Sequence, residues 1–141
     1  MTDIAPTLKI LERLIAFDTT SRNSNLELIE WIEAFLNERG IESTRVGNAD
    51  GTKANLYALI GPRVEGCIVL SGHTDVVPVD GQPWTSDPWQ VTERGGKLYG
   101  RGVADMKSFS ALALAHIDRA LAADLKRPLI LALSYDEEVG C

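Results

Sequence analysis

Two cysteines and two histidines in 141 residues leave few groups for redox or thiolate chemistry. Cys67 and Cys141 are too few for a disulfide framework, which excludes a small, bridge-stapled secreted module. Cys67 opens an apolar run and reads as a small buried hydrophobe. Basic residues are also in deficit. Fourteen Lys and Arg stand against twenty Asp and Glu, a net charge of −6. That balance argues against a nucleic-acid or anionic-membrane surface and leaves acidic groups free to gather around a cation. No apolar run approaches the roughly 20 residues that cross a bilayer. Met1 to Pro6 lacks the basic segment and apolar stretch of a secretory leader. A cytoplasmic protein with neither nucleic-acid nor membrane partners is expected.

What is present is ordinary globular material, 45% hydrophobic and 24% charged, in a chain long enough for one domain with a core. Leu8, Leu11, Leu14 and Ile15 recur at helical spacing and predict a helix over residues 7–17, with Pro6 suited to its first turn. The polar stretch from Asp18 to Asn25 supplies N-cap candidates for a second helix over 25–39, closed by Gly40. Strands are expected at 41–46, 55–60 and 67–70. The last is nearly all apolar and therefore expected at the centre of a sheet. Residues 78–96 read as loop and 97–99 as a short strand. A helix is expected over 107–123, then a buried strand over 129–134. This order fits a layered α/β domain.

Three polar sites follow or precede these elements. The run Ile68 to Leu70 gives way to Ser71-Gly72-His73-Thr74-Asp75-Val76-Val77-Pro78, placing a histidine and a carboxylate at a strand end, where α/β proteins tend to hold their chemistry. Residues two apart on an extended chain share a face, so Asp75 can support the His73 ring; an ordinary strand-end turn fits as well. Asp105 stands just before a helix, in a position that suits an N-cap or a ligand. The neighbouring Gly100 and Gly102 do not make a dinucleotide fingerprint, since no third glycine follows. Asp136-Glu137-Glu138 follows a buried strand and reads as a solvated acidic turn or as carboxylates held by a cation. On an extended backbone the two glutamates point to opposite sides, one toward metal and one toward water. His, Asp and Glu at the ends of three segments, without cysteine, suit zinc, cobalt or manganese in an open site.

Together these motifs resemble the dinuclear zinc amidohydrolases of the M20 metallopeptidase family. The likeness rests on Ser71 to Pro78, on Tyr99-Gly100-Arg101-Gly102-Val103-Ala104-Asp105-Met106-Lys107, on Trp84 to Trp89, and on Asp136-Glu137-Glu138-Val139-Gly140. Within that family, Leu14 to Ser21, Gly51-Thr52-Lys53-Ala54-Asn55-Leu56 and the ending at Cys141 resemble the proteobacterial acetylornithine deacetylases; desuccinylases and other aminoacylases or carboxypeptidases are the alternative. The resemblance implies a three-layer mixed sheet flanked by helices, as in zinc-dependent exopeptidases. It implies two Zn2+ or Co2+ ions per full-length subunit. His73 would ligate one, Asp105 would bridge both and Glu138 would ligate the second. It assigns catalysis to Glu137, the general base, and Asp75, which would orient His73. It also implies a cis peptide at Asp105-Met106, an N-acyl amino acid substrate and a homodimer.

Two further ligands, a carboxylate and a histidine, are implied later in the chain, together with an inserted dimerisation domain. Neither lies within these residues. His116 falls inside an expected helix and reads as structural. The sequence stops at Val139-Gly140-Cys141, directly after its acidic cluster. Residues 1–141 are therefore expected to be the N-terminal part of a catalytic metal-binding domain, inactive alone and weak in metal binding. A non-catalytic binding module is the reading from another class.

Overall fold

The computed structural model describes residues 3–140, so Cys141 and the expectations attached to it lie outside the described residues. Two helices come first, α1 (Ala5–Ile15) and α2 (Leu26–Asn37). Pro6 occupies the first turn of α1, where its missing N–H has no helical partner to lose. Gly40, at φ +69°, closes α2, and the amides of Gly40 and Ile41 return to the carbonyls of Asn37 and Leu36. Only a residue tolerant of positive φ makes that reversal at little cost.

Four strands form one mixed sheet: β1 (Ser43–Gly47), β2 (Ala54–Ile60), β3 (Ile68–His73) and the later β6 (Leu129–Ser134), in spatial order β1-β2-β6-β3. β1 and β2 are antiparallel, β2 and β6 antiparallel, and β3 and β6 parallel. Between β3 and β6 lie a short hairpin, β4 (Thr92–Arg94) and β5 (Lys97–Tyr99), and the helices α3 (Ser108–Ala115) and α4 (Ile117–Ala122). Alternation decides the faces. Leu56, Ala58 and Ile60 of β2 are buried, and their register partners on β6 are Leu133, Leu131 and Leu129. They join Leu11, Leu14 and Ile15 of α1, Leu28, Ile29, Ile32 and Leu36 of α2, and Ala111, Leu114 and Ile117 in one core. A mixed sheet flanked by helices is therefore what the chain builds. Among the described residues the helices cover one face. The other carries Tyr57 and Val69, which are 48% and 51% exposed.

Four expectations are corrected. The apolar strand expected at the centre is β3, and it forms the edge of this sheet, with Ile68 60% exposed. An apolar run reports that both faces suit burial, not that both are covered. Cys67, beside it, is exposed and not buried. The helix expected over 107–123 breaks at His116, whose backbone leaves the helical region (φ −100°, ψ 3°) and whose Nδ1 hydrogen-bonds the carbonyl of Leu112 at 2.9 Å. Residues 92–94, read as loop, pair with 97–99 through Gly95-Gly96, both at positive φ, the conformation that matches a tight hairpin.

Candidate metal centre

The parallel register sets His73 at the end of β3 opposite Ser134 at the end of β6. The amide of Thr74 (2.8 Å) and its hydroxyl (2.9 Å) both donate to the Ser134 carbonyl, which locks the two strand ends together. The segment beyond β3 then pairs with the loop that follows α1. Val76 N–H donates to Thr19 O, Ser21 N–H donates to Val76 O, and the Thr19 hydroxyl donates to Thr74 O. Asn25, an expected N-cap, makes no side-chain cap bond to α2. Its buried amide instead clamps Ala54 at both N and O and reaches the Thr74 hydroxyl. Side-chain amides serve well wherever a main-chain donor and acceptor need pairing at once.

His73 is buried, and its Nδ1 lies 2.9 Å from the carbonyl oxygen of Asp75. A carbonyl only accepts, so Nδ1 carries the proton and Nε2 is left to face the site. Nε2 lies 3.0 Å from Asp105 Oδ1 and 3.7 Å from Glu137 Oε2. One ligand atom each from His73, Glu137 and Glu138 falls within 4.8 Å of the others. The structure therefore brings three of the expected ligand and base residues into one group, to which Asp105 is joined through the imidazole. Asp105 stands apart from the tight group, since its side chain is 73% exposed and reaches only the imidazole. It does not cap α3, whose N-terminal residue before the helix is Lys107. The Asp105-Met106 peptide is cis.

Asp75 does more than face the imidazole. Its Oδ1 lies 3.4 Å from His73 Nδ1 and accepts the amide of Glu137 at 3.1 Å. Its Oδ2 accepts the amide of Glu138 at 3.1 Å and the Ser21 hydroxyl at 2.6 Å. One buried carboxylate thus joins the end of β3, the turn after β6 and the loop after α1. The acidic turn is not extended, as the sequence reading had it. Asp136 sits at φ +61° and residues Glu137–Val139 form a single helical turn. This reversal is what lets two adjacent glutamates reach the same imidazole.

The electrostatics follow from crowding. Burial lowers the His73 pKa, but the Asp105 hydrogen bond, the Asp75 carbonyl and the charges of Asp75 and Glu137 outweigh it, and the imidazole is held above 6.5. Glu138 is pushed up, first by burial and then by the charges of Asp105, Asp75 and Glu137, with His73 opposing. Carboxylates crowded around an imidazole have the chemistry of a cation site, where one positive charge relieves their repulsion.

Behind the site, Lys107 is the bulkiest fully buried side chain to carry a charge. Its ammonium donates to the carbonyls of Leu14 (2.9 Å) and Phe17 (2.8 Å) at the end of α1. Burial lowers its pKa to about 7 against the pull of Asp18. Gly102, at φ +85°, begins the turn that carries Asp105, and a Cβ there would lie 2.9 Å from Val76 Cγ1. Sequence reasoning assigned no role to Ser21, Lys53 or Lys107. All three lie inside motifs that carry the family resemblance, yet nothing in the sequence alone says which atoms they reach.

The model for peptidase family M20/M25/M40 matches residues 69–141, just over half of the chain. The chain belongs to that family. All five expected site residues fall inside the matched span, whereas Ser21 and Lys53 precede it. Among curated proteins, the acetylornithine deacetylase of Myxococcus xanthus is 42% identical over 147 residues, covering 99% of this chain and 37% of that protein. The acetylornithine deacetylase of Shigella sonnei (strain Ss046) is 38% identical, covering 97% of this chain and 37% of that protein. The chain thus spans about 37% of the length of these relatives. Among solved structures, human carnosine dipeptidase 1 superposes with a TM-score of 0.81 at 25% identity, over 95% of this chain and 32% of that one. The M20 family metallo-carboxypeptidase Sso-CP2 from Sulfolobus solfataricus reaches 0.82 at 22% identity, over 99% of this chain and 32% of that one, a likeness of fold.

Proposed function

We propose that residues 1–141 are the N-terminal part of the catalytic domain of a metal-dependent amide hydrolase that releases acetate from N-acetylornithine. One observation carries this reading: His73, Glu137 and Glu138 present ligand atoms within 4.8 Å of one another at adjoining strand ends. The donor set fits the metal. A neutral imidazole whose Nδ1 proton is fixed by a main-chain carbonyl, beside carboxylate oxygens and no thiolate, suits zinc or cobalt. His73, Asp105 and Glu138 would hold the cations. Bound there, a pair of divalent cations lowers the pKa of water toward neutrality and polarises an amide carbonyl.

The chain's own residues do the rest. Glu137, half-exposed beside His73, takes a proton from the attacking water as its oxygen bonds to the amide carbon. The same carboxyl passes that proton to the leaving nitrogen as the C–N bond breaks, giving acetate and the free amine. Asp75 holds both the His73 ring and the amides of Glu137 and Glu138 in register. The identity to acetylornithine deacetylases supports the substrate.

The exposed sheet face at Tyr57 and Val69 and the exposed edge of β3 support the partial-domain reading, as surfaces that the rest of the domain would cover. Among the described residues no helix is long and apolar enough to cross a membrane.

The test compares this chain with a protein of the relatives' full length, both with added zinc or cobalt. N-acetylornithine and N-succinyl-diaminopimelate are supplied in parallel and the released acid is identified. Acetate from the long protein only, with no succinate, is expected. Turnover by the 141 residues alone overturns the partial-site reading, and succinate as the main product overturns the substrate.

A further inference from the structure

We propose that Lys53 is a positioning residue for the acidic turn, acting through Asp136 on the two glutamates that face His73; the inference rests on the metal-site reading above. Lys53 lies just before β2, far in sequence from every expected ligand. Its ammonium donates to Asp136 Oδ1 at 2.5 Å and to the carbonyl of Ser21 at 2.5 Å. Both side chains of the ion pair are largely shielded, Lys53 at 15% exposure and Asp136 at 28%. A shielded pair with a second anchor on the main chain fixes geometry far better than a surface pair.

What it fixes is the one residue that decides the direction of the turn. Asp136 is the only described non-glycine residue at positive φ, and it directly precedes Glu137 and Glu138. Aspartate tolerates that region only modestly, so the conformation needs support from outside the turn. Lys53 supplies it from one side, and Asp75 from the other by accepting the amides of Glu137 and Glu138. Ser21 is common to both supports: its carbonyl accepts from Lys53 and its hydroxyl donates to Asp75. Lys53, Ser21, Asp75 and Asp136 therefore form one closed frame around the ligand-bearing turn. The Lys53 ammonium is a donor engaged by Asp136 and the Ser21 carbonyl, so its effect on metal must pass through that frame.

The experiment uses a protein of the relatives' full length and its K53M and K53R variants, with D136N as the second way to open the same ion pair. Cobalt(II) titration followed by visible absorption reads the ligand geometry. Amide hydrogen exchange at Glu137 and Glu138, measured without metal, reads the turn itself. K53M and D136N are expected to bind cobalt about ten-fold more weakly with an altered visible spectrum, the loss typical of a partner behind the ligands. Exchange at the two amides is expected to rise about ten-fold while amides in the core of β6 keep their protection. K53R, which keeps charge and reach, is expected to recover most of both. Wild-type cobalt affinity and spectrum in K53M, or unchanged exchange at Glu137 and Glu138, overturns the role of Lys53. A wild-type full-length protein that binds no cobalt overturns the metal reading instead, and the exchange rates still decide whether Lys53 holds the turn.

Discussion

Asp75 concentrates more of the site on one side chain than any other residue, because each of its oxygens serves two partners. Oδ1 meets His73 Nδ1 and the Glu137 amide, and Oδ2 meets the Glu138 amide and the Ser21 hydroxyl. An amide side chain in its place keeps one acceptor and presents an NH2 to groups that themselves donate. D75N is therefore expected to leave the Ser21 hydroxyl or one glutamate amide without an acceptor, costing about 2 kcal/mol of folding stability in urea denaturation. Metal affinity should fall by about ten-fold or more in the same variant, because the imidazole and both glutamates lose their support together. Wild-type stability and cobalt affinity in D75N would show that the buried carboxylate is incidental. Ser21 gives the gradation: removal of its hydroxyl in S21A takes one bond from Asp75 and leaves the two amides paired.

At the scale of elements, the turn from Gly102 to Lys107 couples the site to the core. Gly102 packs against Val76, Lys107 reaches under α1, and Asp105 is carried between them to His73. G102A places a Cβ 2.9 Å from Val76 Cγ1 at a φ of +85° that L-residues rarely adopt. Both penalties act together, and a loss of about 2–3 kcal/mol in thermal or urea unfolding is expected. An unchanged midpoint would mean that the turn relaxes freely, and with it the placement of Asp105. The helices and strands of this layer were largely legible beforehand, because Leu11, Leu14 and Ile15 at helical spacing and Leu56, Ala58 and Ile60 in alternation each mark one buried face. The motif residues His73, Glu137 and Glu138 were legible too. What periodicity does not carry is the environment an element meets. β3 reads as central because its residues are apolar, yet its place in the sheet depends on partners. Asn25 reads as a cap, yet Ala54 competes successfully for its amide. The acidic turn reads as extended, since a single residue at positive φ leaves no periodic trace.

For the whole molecule, the relevant balance is between a core that holds the strand ends rigid and a cluster of charge that those ends must carry. The chain has a net charge of −6, and the site adds local repulsion of its own, since Glu138 is raised first by burial and then by the charges of Asp105, Asp75 and Glu137. A divalent cation that binds the folded chain and not the unfolded one stabilises the fold by mass action, by about 2.7 kcal/mol at a hundred-fold excess over Kd. For a domain of this size that is roughly a 10 °C rise in Tm. Calorimetry should therefore show a Tm that climbs with zinc or cobalt concentration and returns to its starting value with a chelator. H73A removes the only nitrogen ligand of the cluster and should abolish the rise. Its own Tm in the absence of metal then reports the cost of the lost packing separately. Magnesium, which prefers an all-oxygen octahedral shell, should give a smaller shift than zinc at equal concentration. An equal rise in H73A would place the cation elsewhere on the acidic surface and detach His73 from the chemistry proposed for it.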